Sequence, residues 1–172
     1  CNAALIHERW AKGLDIPAID SNTTCTSFVT GLDIVSSLIE LGNYRTVLLI
    51  SGDTASAALN PDQKESYELF SDAAAAFVVR ACREEEASKV IYSSQKTWSE
   101  GAHDTEIRGG GGLMPVFSMN RENLSDYYFD MKGSKILKLT AGKLPAFIEN
   151  SLAEAGISRS EVGLVVPHQA SQ

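Results

Sequence analysis

One stretch decides the fold that this sequence predicts: Ala18-Ile19-Asp20-Ser21-Asn22-Thr23-Thr24-Cys25-Thr26-Ser27-Phe28. A short apolar run entered through Pro17 gives way to small polar residues, and helical periodicity begins at Cys25. Apolar residues then repeat at helical spacing along one face: Phe28, Leu32, Val35 and Ile39. Gly42-Asn43 is typical of a helix end, and residues 46–50 read as a buried strand. The sequence therefore predicts strand, helix and strand, with Cys25 at the corner between the first two.

Cys25 has two interpretations. Free cysteine is usually a small buried apolar residue. Here, however, its neighbours are Thr24, Thr26 and Ser27, and the predicted corner lies at the edge of an α/β sheet where ligands bind. Unpaired amides and the positive end of the helix dipole favour an anion at that position, and hence a nucleophilic thiolate. The amide of Cys25 itself can donate to an oxyanion formed in the same place. Cys82 and Cys1 have no comparable setting.

The middle of the chain predicts two more strands and a long loop. Residues 70–79 join four alanines to Phe-Val-Val and read as a strand, and residues 89–94 read as its partner. Residues 95–126 lack periodicity and contain Gly109 to Gly112. A phosphate loop is not indicated there, because neither a Lys-Ser/Thr pair nor a helix follows the glycines.

The last third returns to regular structure. Residues 134–155 predict a helix that Pro145 kinks or divides and Gly156 ends. Ser158 and Glu161 have the spacing of a capping box. Residues 162–166 predict a buried strand that runs into Pro167-His168-Gln169-Ala170-Ser171.

His168 repeats the arrangement of Cys25, because each polar reactive residue follows a buried strand. A lone histidine is more often structural than catalytic, and spacing alone does not bring these two side chains together. A thiol and an imidazole at equivalent strand ends are nevertheless the pair that nucleophilic catalysis uses.

Composition narrows the class of protein. The chain has 172 residues, of which 44% are hydrophobic and 22% charged, as in an ordinary globular domain. Three irregularly spaced cysteines suggest neither a disulfide framework nor a metal site, which favours a reducing, cytoplasmic compartment. The net charge of −7 argues against nucleic acid as a partner, and no apolar run is long enough for a membrane span. The chain does not start with methionine and looks like an internal piece of a longer protein.

Three segments together resemble the 3-oxoacyl-acyl-carrier-protein synthase III family of the thiolase superfamily. They are residues 20–38 around Cys25, the strand Phe70-Ser71-Asp72-Ala73-Ala74-Ala75-Ala76, and Val165-Val166-Pro167-His168-Gln169-Ala170-Ser171. The resemblance implies a layered α/β/α/β/α fold of two similar halves in a homodimer. Residues 1–80 would be the end of the first half, and residues 81–172 the start of the second.

The resemblance also implies a reaction. Cys25 would take an acyl group from a thioester, and His168 would stabilise the carbanion formed when a malonyl group loses carbon dioxide. The product would be a new carbon–carbon bond in fatty acid or polyketide-type synthesis. Coenzyme A thioesters and acyl-carrier protein would be substrates and partners, with no metal or other cofactor. Lys138, Phe28 and Leu137 are candidates for substrate or carrier-protein binding, and a solvated helix lysine is an equal interpretation of Lys138.

Several features depart from the family pattern. Thr23-Thr24 and Thr26-Ser27 flank Cys25, where the family has small apolar residues before the cysteine and Ala-Gly or Ser-Gly after it. Ser71 and Ala73 replace glycines. The resemblance places a catalytic asparagine and a glycine-rich loop beyond Gln172, and further strands before the first helix. A non-catalytic thiolase-fold subunit therefore remains an alternative, whereas the Cys-Gly-Ser-Cys-Trp setting of a papain-like hydrolase is absent.

Overall fold

The computed structural model describes residues 2–169, which form two compact units. The first contains residues 2–51 and 75–89, and the second contains residues 52–74 and 90–169. The helices and strands are, in chain order, α1 (Asn2–Trp10), α2 (Ser27–Glu40), β1 (Thr46–Asp53), α3 (Lys64–Tyr67), β2 (Ala73–Arg80), β3 (Thr105–Glu106), β4 (Asp130–Met131) and α4 (Gly133–Ala155). Short 3₁₀ turns occupy Thr24–Thr26, Ala55–Ala58, Ser99–Gly101, Val116–Ser118, Leu124–Tyr127 and Arg159–Glu161.

The first unit is built around α2, which packs against the sheet formed by β1 and β2. Thr30 and Gly31 are its buried residues, and a Cβ on Gly31 would lie 2.8 Å from Leu49 Cδ1. A side chain at position 31 would therefore push the helix away from β1. Gly42, with φ of +76°, follows the helix end as the sequence predicts.

The predicted strand before Cys25 does not form. Residues 14–23 have no strand partner in the described part of the chain, and one of their carboxylates bonds to α1 instead. The Asp20 carboxylate accepts a hydrogen bond of 2.8 Å from the Ala3 amide in the first turn of α1. That amide is one of the four that a helix start leaves unpaired, so Asp20 holds the approach to Cys25 against α1.

Two groups of apolar contacts lie in the second unit, one around Phe129 and one on α4. Leu59 is buried, and it forms a parallel bridge with Phe129. The Phe129 ring lies edge to face on Phe70, with centroids 5.1 Å apart. Trp98 makes a similar contact with Phe147 of α4, at 5.9 Å.

Helix α4 is one continuous element, so of the two predicted effects of Pro145, a kink or a division, the division does not occur. Pro145 cannot donate to the carbonyl of Ala141, but both residues are exposed and water can satisfy that carbonyl. Gly156 ends the helix with φ of +70°, and Ser158 with Glu161 forms the predicted capping box.

Two further predicted strands are absent. Residues 89–94 and 162–166 form no strand, because neither segment has a ladder partner among residues 2–169. Their apolar side chains are correspondingly exposed, and Val166 is 84% accessible. The sequence pattern was that of a buried strand, but a strand also needs a neighbour to accept and donate its hydrogen bonds.

The loop between β2 and α4 is irregular, as predicted, and a short ladder closes residues 105–131 within it. β3 and β4 pair antiparallel, with Thr105 opposite Met131 and Glu106 opposite Asp130. Gln63 also bonds both main-chain groups of Met131, at 3.1 and 3.3 Å. In the described part of the chain, no helix has the length and apolar character that crossing a bilayer requires.

Candidate active site

Cys25 lies in the 3₁₀ turn Thr24–Thr26, immediately before α2 begins at Ser27. It is exposed and carries a free thiol. The sequence prediction that a thiol stands at the start of this helix is therefore confirmed, although the turn interposes one short element before the α-helix. An accessible sulfur beside a helix start can be reached by an electrophilic carbonyl.

The hydroxyl groups around Cys25 are engaged with the backbone of the turn. Ser27 Oγ donates to the Thr24 carbonyl at 2.6 Å and accepts from the Thr23 amide at 3.0 Å. Thr24 Oγ1 and Thr26 Oγ1 both donate to the Thr23 carbonyl, at 2.7 and 2.9 Å. Thr23 Oγ1 donates to Thr30 Oγ1 at 2.9 Å, one turn further along the helix. The turn that carries the thiol is thus held from several sides.

Thr24 has a left-handed backbone, with φ of +52°, and within residues 2–169 it is the one non-glycine residue with a positive φ. The conformation is unfavourable for any side chain and more so for a β-branched one. The Asn22 side chain supports it, since Asn22 Oδ1 accepts from the Thr24 amide at 2.8 Å. Strain of this kind persists only where surrounding contacts enforce it, and it clusters at functional sites.

Phe28 faces the sheet rather than the thiol turn. Its ring lies 4.7 Å from the ring of Phe77 in β2, at an interplanar angle of 48°. The contact helps to hold α2 on the sheet, and a role of Phe28 in substrate binding stays a prediction.

His168 belongs to the second unit and is exposed. It follows the irregular segment 162–167 rather than a strand, so the strand end on which its interpretation depended is not formed. Ala170 and Ser171 of its motif lie outside the described residues. The role of His168 stays a prediction.

Leu137 and Lys138 lie on α4, and Leu137 is 63% exposed. Lys138 lines a shallow cleft of about 340 Å³ with Lys135, Leu139, Gly142 and Lys143. Lys135 and Lys143 pair with Asp104 and Glu100, at 3.7 and 2.9 Å. Within residues 2–169, no carboxylate lies at ion-pair distance from Lys138. Lys138 is therefore the lysine of this cleft whose charge can meet an outside anion.

Sequence reasoning missed the charge cluster that holds the loop of residues 105–131. Arg108 Nε lies 2.8 Å from Asp126 and its Nη1 lies 3.0 Å from Asp130. These two carboxylates raise the pKa of Arg108, and Arg108 in turn lowers the pKa of Asp130. A hydrogen bond from His103 is the largest cause that lowers the pKa of Glu106. The signal in the sequence was an arginine beside a glycine run, followed by acidic residues, but its partners are 18 and 22 positions away.

The hydroxyl network around Cys25 was also missed, although its residues were noted. Ser and Thr near a helix start commonly bond to nearby backbone, which is the signal that could have found it. Within the described residues, no three metal-binding side chains gather into a cluster.

Comparison with known proteins supports the resemblance. The family model of 3-oxoacyl-[acyl-carrier-protein (ACP)] synthase III matches residues 19–98, which include Cys25. The beta-ketoacyl-[acyl-carrier-protein] synthase III of Chlamydia muridarum is 27% identical over 160 residues, covering 92% of this chain and 48% of the relative. The protein of that name from Fusobacterium nucleatum is 28% identical over 156 residues, covering 91% and 47%. The chain thus spans about half the length of the curated relatives it matches.

Comparison with solved structures gives the same result as comparison of sequences. The 3-oxoacyl-(acyl carrier protein) synthase III of Pseudomonas aeruginosa PAO1 matches with a TM-score of 0.81 and 26% identity, covering 99% of this chain and 49% of that one. The Aquifex aeolicus VF5 protein matches with a TM-score of 0.78 and 27% identity, covering 97% and 48%. The predicted fold class, a partly covered thiolase-like α/β fold, is confirmed. By sequence and by fold, the chain is similar to proteins of the 3-oxoacyl-[acyl-carrier-protein] synthase III family.

Proposed function

We propose that the protein carrying this chain is an acyltransferase that joins an acyl thioester to malonyl-acyl-carrier protein by decarboxylative Claisen condensation. The observation that carries the proposal is an exposed Cys25 at the start of α2, inside the segment that matches the family model. The relatives are named for this type of synthase, which supports the reaction class.

In the first step, the Cys25 thiolate attacks the carbonyl carbon of an acyl thioester. A carbon–sulfur bond forms, the carbonyl electrons move to oxygen, and the tetrahedral intermediate collapses as the thiolate of the donor leaves. One feature of the turn suits this step: the Cys25 amide can donate to the oxyanion. Transfer from one thioester to another is close to balanced in energy, because one thiol replaces another.

In the second step, malonyl-acyl-carrier protein loses carbon dioxide, and the electron pair of the broken carbon–carbon bond remains on the α-carbon. That carbanion attacks the acyl-Cys25 carbonyl, and the Cys25 thiolate leaves. His168 would stabilise the carbanion by hydrogen bonding to the thioester oxygen over which its charge spreads. The reaction balances without an electron donor or acceptor, so we propose that it needs no redox cofactor or metal.

Lys138 would bind the phosphate that coenzyme A and the carrier-protein arm both carry. Its support is the absence of a carboxylate partner among residues 2–169, in a cleft whose other two lysines are paired. Leu137 lies beside it on α4 and would contact the apolar part of the same arm or carrier. Phe28, the second residue of α2 and three positions after Cys25, would contribute to acyl binding.

We also propose a homodimer in the cytoplasm, and exposed large apolar side chains support the association of two copies. Leu164 and Val165 are 80% and 71% accessible, which a partner surface would cover. The division into one thiolase-like half over residues 1–80 and another over 81–172 stays a prediction.

The test is to incubate the full-length protein with acyl-coenzyme A and to locate the added mass by peptide mapping. We expect one acyl group on Cys25, and its loss with formation of a 3-oxoacyl product when malonyl-acyl-carrier protein is added. Cys82 is a matched internal control, because it is also exposed but donates its thiol hydrogen bond to the Ser88 carbonyl at 2.9 Å. Label on Cys82, or no label, would refute the proposal and favour a non-catalytic subunit.

A further inference from the structure

The peptide between Thr24 and Cys25 is held by one side chain, that of Ser27. Its hydroxyl donates to the Thr24 carbonyl at 2.6 Å, and the Ser27 amide bonds the same oxygen. The same hydroxyl accepts from the Thr23 amide at 3.0 Å, so its rotamer is fixed as well. We propose that Ser27 is a positioning residue for acyl transfer, which fixes the direction of the Cys25 amide. This inference rests on the proposed function.

The Thr24 carbonyl and the Cys25 amide belong to one peptide plane, so the direction of one sets the direction of the other. A trans peptide is planar, and its carbonyl and its amide hydrogen point in opposite directions. No peptide bond among residues 2–169 is cis. Since the Thr24 carbonyl points to Ser27, the Cys25 amide of the same peptide points away from Ser27. An oxyanion donor is effective only within about 2.7–3.1 Å of the oxygen, so rotation of this plane would misdirect it.

The unfavourable φ of Thr24 favours rotation of the Thr24–Cys25 peptide plane. Its φ of +52° is unfavourable for a β-branched residue, and relaxation to a negative φ would turn the Thr24–Cys25 peptide. The hydroxyls of Thr24 and Thr26 bond to the Thr23 carbonyl and so hold the preceding peptide. Ser27 is thus the side chain that resists rotation of the peptide bearing the Cys25 amide.

The experiment measures two reactions of Cys25 in the full-length protein: acylation by an acyl-coenzyme A, and alkylation by iodoacetamide. Both need an accessible thiolate, but only acylation forms an oxyanion. We expect Ser27→Ala to slow acylation at least about tenfold, less than the 100 to 1000-fold loss typical of a deleted donor. Alkylation forms no oxyanion, so its rate should stay within about twofold of wild type. Ser27→Thr, which keeps the hydroxyl, should bring acylation back to near the wild-type rate.

A second variant pair tests the role of backbone strain. Glycine adopts positive φ freely, so in a Thr24→Gly background the Ser27→Ala change should slow acylation less than it does alone. If Ser27→Ala alone fails to fold, comparing Thr24→Gly with the Thr24→Gly, Ser27→Ala double variant still tests whether Ser27 positions the Cys25 amide. Equal slowing of acylation and alkylation, or an undiminished acylation rate in Ser27→Ala, would overturn the inference while leaving the proposed function intact. A wild-type Cys25 that accepts no acyl group would overturn the proposed function and this inference with it.

Discussion

Replacing Gly31 with alanine should loosen the packing that sets α2, and with it the Cys25 turn. Gly31 is buried in the interior of α2, and an added Cβ would lie 2.8 Å from Leu49 Cδ1. Carbon atoms pack best at about 3.5–4.0 Å, so the methyl group would be roughly 1 Å too close. Either Leu49 must change rotamer or the helix must move away from β1.

Two opposing terms set the size of the effect. Alanine is favoured over glycine in a helix interior by about 1 kcal/mol. Overpacking by one carbon costs about 1–3 kcal/mol, and the low end is reached when the opposing atom can move, as the tip of a leucine can. We therefore expect Gly31→Ala to lower the free energy of unfolding by about 0–2 kcal/mol.

Gly142 provides a matched control. It also lies inside a helix, α4, but a Cβ there would meet nothing within 4 Å. Gly142→Ala should raise the free energy of unfolding by about 1 kcal/mol, since only the helix preference changes. Urea denaturation of both variants of the full-length protein measures the difference, which we expect to be about 1–3 kcal/mol. Equal stabilisation by the two substitutions would show that α2 does not pack on β1 as closely as described.

Three further results are expected. His168→Ala should abolish condensation and still allow acylation of Cys25, as measured by product formation and intact mass; normal condensation would remove His168 from the mechanism. Lys138→Ala should raise KM for malonyl-acyl-carrier protein with little change in kcat, whereas Lys89→Ala, also on the surface, should change neither. The stability lost in Arg108→Gln should be largest at neutral pH. Because the pKa of Asp130 is lowered in the folded protein, the stabilisation is present above its ordinary value of 3.8 and disappears as the pH falls through the lowered pKa. Melting temperatures of the two proteins should therefore converge at low pH, and a constant difference would show that Arg108 acts without its charge.

Features that depend on near neighbours in the chain could be predicted. The periodicity of α2, the left-handed Gly156 and the Ser158 capping box each involve residues within four positions of one another. The helix-start position of Cys25 was predictable for the same reason, since the polar residues before it and the apolar repeat after it lie in one short segment.

Features that depend on residues far apart in the chain could not be predicted from the sequence. A run such as residues 162–166 has the composition of a buried strand, but whether it forms one is decided by a neighbour elsewhere. The Arg108 cluster joins residues 18 and 22 positions apart, and no local pattern specifies that closure. Helix α4 continues through Pro145 because the unpaired carbonyl of Ala141 is exposed to water. The sequence alone does not show that this carbonyl is exposed.

The polar residues around Cys25 show how a correct inference can rest on an incomplete reason. Their polarity argued that the cysteine is not buried filler, and the thiol is indeed exposed. In the structure these hydroxyls are directed at the backbone of the turn: Ser27 bonds Thr24, and Thr26 bonds Thr23. The glycine that the family is expected to have at position 27 could not make the first of these bonds. Because the Ser27 bond holds a left-handed Thr24 in place, the departure from the family pattern preserves the geometry of the turn by different chemistry. Reverting Ser27 alone should therefore slow acylation of Cys25 more than reverting Thr24 and Ser27 together.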